Sequence, residues 1–160
     1  KLKKESLYMT VLVLVTIGSI LAVIFIPKRI SSMEMYTTSF FATFLASLAD
    51  IYLDLKFDLY GFFDKGINWE YIVIFIVIYP AANILILNFF PYKKNIIKQI
   101  TYILLCTIIT LCCEYLSLQT EVFYYNGWKL WYSALCYPVI YTILVLNLHF
   151  IRKLNKIQSQ

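Results

Sequence analysis

Three acidic residues lie within or at the ends of apolar stretches, where a carboxylate could do chemistry inside a membrane. Asp50 and Asp54 are four residues apart and therefore share one face of a helix, and Glu114 lies late in another apolar stretch. A charge at the centre of a bilayer costs on the order of 3 kcal/mol, so such residues tend to face the interior of a bundle and mark ion or proton paths.

These carboxylates predict one candidate polar site. If the helices that carry Asp50 and Glu114 pack together, the two residues and Asp54 would form an acidic cluster near the outer face. Such a cluster could bind a cation or share a proton. The alternative is that the carboxylates are solvated in the headgroup layer. We favour this alternative for Asp54 and Glu114, and for Asp50 both remain open.

Two prolines interrupt apolar stretches, and each is expected to kink its helix. They are Pro80 and Pro138. A proline removes one backbone hydrogen bond and frees a carbonyl in the preceding turn, which must find a partner or line a polar cavity. Prolines are also tolerated in spanning helices where they only shape the packing, and that alternative stays open.

Residues suited to catalysis or metal binding are few. His149 is the single histidine, and a histidine without a carboxylate partner nearby in sequence is poor support for acid–base catalysis. The cysteines are Cys106, Cys112, Cys113 and Cys136. In apolar helices they usually act as small hydrophobic residues, and hydrolase and phosphate-loop motifs are missing from the sequence. We therefore predict no catalytic residue, no metal site and no cofactor, and we expect that the protein is not an enzyme.

The elements that would position these residues are membrane-spanning helices. The chain of 160 residues is 61% hydrophobic and 14% charged, whereas an ordinary soluble domain carries roughly 25% charged residues. The uncharged stretch from Tyr71 to Phe90 would reach about 30 Å as a helix, which is the thickness of the hydrocarbon core.

Comparable stretches predict an all-α polytopic membrane helical bundle that forms one domain over residues 1–160. The predicted spans are 7–26, 35–55, 71–90, 97–118 and 130–150. A bundle of four helices with a re-entrant or interfacial second segment is the main competitor.

Small and aromatic residues indicate what these spans and loops do. The second span is rich in Thr, Ser and Ala, which let helices approach closely in lipid, so we expect it inside the bundle. The aromatic stretch 56–70 predicts an interfacial turn on the bilayer surface. Residues 119–129 hold Tyr124, Tyr125 and Trp128 beside an Asn-Gly turn pair and are typical of an aromatic belt.

Basic residues set the expected orientation. The formal charge of +5 is carried by Lys and Arg that flank the apolar stretches, which does not favour a nucleic-acid partner. They concentrate in the first and third loops and in the C-terminal tail. By the positive-inside rule we expect a multi-pass protein of the cell membrane with a cytoplasmic C-terminus. Lys1, Lys3 and Lys4 favour the opposite orientation, and we interpret the apolar run that follows them as a retained span because it continues to Ile26.

A weak internal similarity links the third and fifth spans. The pairs Tyr79-Pro80 and Tyr137-Pro138 are each followed by a run of Ile, Leu and Val that ends in Asn. In both cases the preceding helix carries an acid near its end. The similarity suggests two hairpins repeated in parallel, as membrane proteins use, and chance similarity in a biased composition is the alternative.

Short motifs follow one another along nearly the whole chain. They are Ile26-Pro27-Lys28, an acid near the end of the second span, Tyr79-Pro80, Asn88-Phe89-Phe90-Pro91, Glu114, and Trp128 with Trp131. In this order they resemble a family of small uncharacterised multi-spanning membrane proteins of spore-forming Gram-positive bacteria. The resemblance implies a bacterial cytoplasmic-membrane protein and assigns no activity.

These observations favour a small permease, channel subunit or sensor whose polar site lies near the outer face. The site would be formed by Asp50 and Glu114 with the kinked third and fifth helices. A structural or accessory membrane protein that binds a partner through its second helix is the alternative, and an intramembrane enzyme acting on lipid is a distant third. The expected partners are the lipid bilayer and either a second copy of the chain or another membrane protein.

Overall fold

The computed structural model describes residues 2–63, 69–120 and 122–158, and these form five long helices. The helices are α1 (Leu2–Phe25), α2 (Ser32–Lys56), α3 (Trp69–Phe89), α4 (Ile96–Gln119) and α5 (Leu130–Gln158). Each contains a stretch that is long and apolar enough to cross a bilayer. The predicted all-α membrane bundle is therefore confirmed, with five full-length helices rather than four. The main difference in bounds is α5, which continues past residue 150 through the basic tail.

Side-chain caps begin the second and fourth helices. The Ser31 hydroxyl accepts a hydrogen bond from the Glu34 amide at 3.2 Å, and the Glu34 carboxylate accepts one from the Ser31 amide at 2.8 Å. This reciprocal pair is a capping box, and it fixes the first turn of α2. Asn95 caps α4 in a simpler way, because its side chain accepts from the Lys98 amide at 3.2 Å.

Helix α3 lies at the centre of the bundle. It packs against α1, α2 and α5, and α4 packs against α5. The small-residue helix α2 lies against α3 and α5, as its composition predicts. One apolar core surrounds the fully buried Leu87 and Leu148, and a second joins Leu12, Ile74 and Val122.

A two-stranded antiparallel sheet joins the second and fourth loops. Strand β1 (Tyr60–Phe62) pairs with β2 (Phe123–Tyr125), and Tyr60 lies opposite Tyr125. The sequence predicted an interfacial turn and an aromatic belt here, so both strands are elements that it missed. Gly61 is required in β1, because a Cβ at that position would overlap the Tyr124 phenol ring. We call the membrane face that carries this sheet the strand side, and the face at which α5 ends the tail side.

Two helices contain π-helical segments near the strand side. The second helix ends with Ile51–Lys56 in this form, and α3 contains Ile74–Ile78. The Tyr79 amide donates to the Ile74 carbonyl, five residues back, and α-helix resumes at Tyr79 with Pro80 in its first turn. Pro138 instead lies within the continuous helix α5. The two prolines therefore differ, and a change of backbone hydrogen-bond register accompanies only Pro80. Such π segments often occur at functional sites.

Candidate functional site

Asp50 is a buried carboxylate held by three tyrosine hydroxyls. Its Oδ1 accepts from Tyr60 of β1 at 2.7 Å, and its Oδ2 accepts from Tyr71 and, at 3.3 Å, from Tyr79. The residue is only 9% exposed. Hydroxyl donors replace the water that a carboxylate loses on burial, which lowers the cost of placing an acid here. We call Asp50 and these three tyrosines the Asp50 cage.

Glu114 has a similar environment on α4. Its Oε1 accepts from Tyr125 of β2 at 2.6 Å and from Ser133 at 2.7 Å, and its Oε2 accepts from Tyr137 at 2.7 Å. The Trp128 indole donates to the Ser133 hydroxyl at 2.8 Å. Because an indole N–H can only donate, this contact leaves the Ser133 proton free to point at Glu114. We call Glu114, Tyr125, Ser133 and Tyr137 the Glu114 cage.

The two cages repeat one arrangement. In each, a tyrosine from a strand and the tyrosine of a Tyr-Pro pair donate to the same acid. The two strand tyrosines, Tyr60 and Tyr125, are opposite each other in the sheet. The internal similarity in the sequence therefore coincides with a repeated hydrogen-bonded site, and the sheet joins the two copies.

The two cages differ in whether their acid lines a cavity. A cavity of about 410 Å³ lies between α1, α3 and α4 beneath the sheet, within the usual size range of small-molecule sites. Glu114, Tyr79 and Tyr137 line it, and most of its remaining wall is apolar. Asp50 does not line this cavity. Its carboxylate also accepts a hydrogen bond from a third tyrosine, Tyr71. Glu114 is therefore the acid that a bound molecule could reach.

Among the described residues, neither caged acid has a cationic partner. Within the described part of the chain, no Lys, Arg or His nitrogen lies within ion-pair distance of Asp50 or Glu114. Burial, followed by the neighbouring acid, raises the pKa of Tyr60 and of Tyr125 well above its usual value near 10. Both strand phenols therefore stay protonated at neutral pH and remain hydrogen-bond donors.

The structure does not gather the three predicted acids into one cluster. Helix α2 packs against α3 and α5 rather than against α4, so Asp50 and Glu114 lie in different cages. Asp54 is half-buried on the π segment of α2 and belongs to neither cage. Among the described residues, no group of three or more His, Cys, Asp and Glu side chains is placed to hold a metal ion. The expected joint cluster is thus replaced by two separate sites.

Other polar residues in the spans join elements of the bundle. The Asn83 amide donates to the Thr38 hydroxyl at 3.0 Å and so links α3 to α2. Asn88 bonds to the backbone of the loop between α1 and α2, at 2.6 and 3.0 Å. The His149 ring lies 2.9 Å from the Val145 carbonyl of its own helix. These contacts have the form of interhelical or local hydrogen bonding.

One ion pair on the tail side escaped the sequence reasoning. The Arg152 guanidinium lies 2.6 Å from the Glu34 carboxylate and packs over the Tyr92 ring, 4.5 Å from its centre. It joins the end of α5 to the start of α2. The Ser-x-x-Glu pattern at residues 31–34 could have indicated the capping role of Glu34. It could not indicate Arg152 as the partner, because the two residues are 118 positions apart.

Comparison of this chain with protein-family models, with curated proteins and with solved structures finds no match.

Proposed function

We propose that this protein is a small permease or sensor of the bacterial cytoplasmic membrane that binds a positively charged ligand at Glu114. One observation carries the proposal. Glu114 is a buried carboxylate in the lining of a mostly apolar cavity, and it has no cationic partner among the described residues. The bacterial membrane follows from the sequence resemblance, and a strand side that faces outward follows from the positive-inside rule.

The chemistry of the cage favours a cation over an anion or a neutral ligand. A buried ionised group is costly unless an opposite charge and hydrogen bonds compensate it. Hydroxyl dipoles reduce that cost for a carboxylate at Glu114, but they supply no opposite charge. An ionised carboxylate offers about four acceptor sites, and three of them are occupied by hydroxyls. A site is left for a ligand that carries the missing positive charge.

The position of Tyr137 connects ligand binding to the rest of the bundle. Its hydroxyl bonds to Oε2 of Glu114 and the residue lines the cavity, so a ligand that binds the remaining acceptor site of this oxygen lies beside the phenol. Tyr137 lies on α5, and the same helix carries Arg152, which is paired with Glu34 on the tail side. A shift of α5 would therefore couple the two membrane faces, as transport and sensing both require.

The accessory-protein alternative has less support. It relies on the small-residue face of α2 as a docking surface for a partner. Thr38 on that helix is fully buried and holds Asn83 of α3. The face is therefore already used within the chain.

Binding of a lipophilic cation tests the proposal. We would measure binding of tetraphenylphosphonium to the full chain in nanodiscs, with tetraphenylborate as an anion of similar size and shape. We expect the cation to bind and the anion not to bind. Glu114→Gln removes the charge with little change of shape and should weaken binding of the cation at least tenfold.

Asp54→Asn is the matched control. It removes one carboxylate from the strand side, but it lies outside both cages and does not line the cavity. We expect it to bind tetraphenylphosphonium like the parent. Equal binding by Glu114→Gln and the parent, or equal binding of the two probe ions, would overturn the proposal.

A further inference from the structure

Helices α1 and α4 both line the cavity beside Glu114, and in the described part of the chain they make no extensive contact with each other. Of the residues that line it, Val15 of α1 is 46% exposed and Leu116 of α4 is 63% exposed. Both residues lie within spans, so their exposed surfaces meet hydrocarbon.

Residues in or next to the sheet line the cavity on the strand side. Three such residues are Phe62 of β1, Phe123 of β2 and Val122, which directly precedes β2. Val122 is buried and packs with Leu12 of α1 and Ile74 of α3. This strand side of the cavity is therefore connected to both helices. A ligand from the aqueous phase would have to separate these contacts, whereas one in the bilayer would meet an existing gap.

From this geometry we infer that the ligand is an amphipathic cation that reaches Glu114 from within the bilayer, through the gap between α1 and α4. The inference rests on the proposed function and adds the class of ligand and its route. The apolar walls formed by residues such as Val11 and Ile78 receive the apolar body, and Glu114 receives the charged group. A small hydrophilic cation would satisfy only the second of these contacts, and it would have no route through hydrocarbon.

The lining supports this division of the ligand into two parts. Glu114 and hydroxyl-bearing residues lie on α4, whereas the three residues that α1 contributes are all apolar. The hydroxyl-bearing residues of this wall are Thr110 and Ser117 on α4 and Thr120 directly after its end. A molecule with a charged head and a bulky apolar part matches both walls at once.

Two measurements on the full chain in nanodiscs test the inference. First, tetramethylammonium should fail to compete with tetraphenylphosphonium, even at a hundredfold excess, because it has no apolar body. Second, Val15→Trp should narrow the gap and slow the association of tetraphenylphosphonium at least tenfold. Leu14→Trp is its matched control, because Leu14 is 64% exposed on the same helix but does not line the cavity. We expect it to leave the association rate unchanged.

The outcomes separate the inference from the function on which it rests. Effective competition by tetramethylammonium, or unchanged association in Val15→Trp, would overturn the lipid route while Glu114 remained a cation site. Retained binding in Glu114→Gln would instead overturn the proposed function. If Val15→Trp does not fold, Leu116→Trp narrows the gap from the α4 edge and is measured in its place.

Discussion

The hydrogen bond between Tyr60 and Asp50 allows a direct test of the two-cage arrangement. Tyr60→Phe removes one hydroxyl from the cage and keeps the ring, and Asp50→Ala removes the acceptor. The single and double variants together form a double-mutant cycle, which isolates the energy of this contact from the other effects of each change.

The structure sets the expected size of that energy. The contact is 2.7 Å long, and its acceptor is a carboxylate that is 9% exposed. Hydrogen bonds to charged groups contribute about 1.5–3 kcal/mol, whereas pairs measured within membrane proteins average about 0.6 kcal/mol and reach about 1.7 kcal/mol. We therefore expect a coupling of about 1.5 kcal/mol, at the upper end of the membrane values.

The assay is reversible unfolding in mixed micelles, followed by tryptophan fluorescence as the fraction of denaturing detergent increases. The same cycle applied to Tyr125 and Glu114 should give a coupling of similar size, because that contact is 2.6 Å long. The crossed cycle of Tyr60 with Glu114 is the control. It should give a smaller coupling than either matched cycle, since no hydrogen bond joins these two residues directly. Crossed and matched couplings of equal size would refute the assignment of each strand tyrosine to its own acid.

Three further predictions concern the tail side, the sheet and alkaline pH. Arg152→Ala leaves Glu34 without its cation, and we expect the free energy of unfolding to fall by about 2 kcal/mol. This loss is smaller than for a fully buried pair because the arginine is 30% exposed. Arg152→Lys should recover part of the loss. Gly61→Ala places a methyl group against the Tyr124 ring and should lower stability by about 1–3 kcal/mol in thermal unfolding, and an unchanged midpoint would contradict the close approach of the strands. Burial raises the pKa of Tyr60, so the folded chain holds this proton more tightly than the unfolded chain, and its contribution to stability should decline as the pH rises above about 10. Tyr60→Phe should show a smaller decline over that range in the same unfolding assay.

Much of the architecture was predictable because hydrophobic length alone specifies a spanning helix. Charge-free stretches such as 71–90 located the helices to within a few residues, and the Ser, Thr and Ala content of α2 indicated its packing inside the bundle. The end of α5 was placed too early. Basic residues in the tail are typical of the end of a span, but the helix continues past Arg152, which pairs with Glu34.

The site was only partly predictable. The acids Asp50 and Glu114 were identified from the cost of a charge in lipid. Both are buried, although for Glu114 solvation in the headgroup layer was the favoured alternative. Their strand partners Tyr60 and Tyr125 were missed, because tyrosines in loops are equally typical of an aromatic belt at the headgroups. The sheet that carries Tyr60 and Tyr125 has only three residues in each strand, and strands so short leave no clear alternation in a sequence. Without the sheet, the sequence could not decide whether α2 packs on α4, which was the condition for a joint acidic cluster.

The pairing of β1 with β2 also constrains the order of assembly. Tyr60 and Tyr125 are 65 positions apart, so the first strand has no partner until the fourth helix and the loop after it have been synthesised. Hairpins of neighbouring helices can enter the membrane one after the other, but pairing over such a separation must wait. Both cages draw a donor from this sheet, so neither acid has its full set of partners during synthesis. Completion of the binding site is therefore a late event in biogenesis, and a chain truncated before residue 123 would lack it.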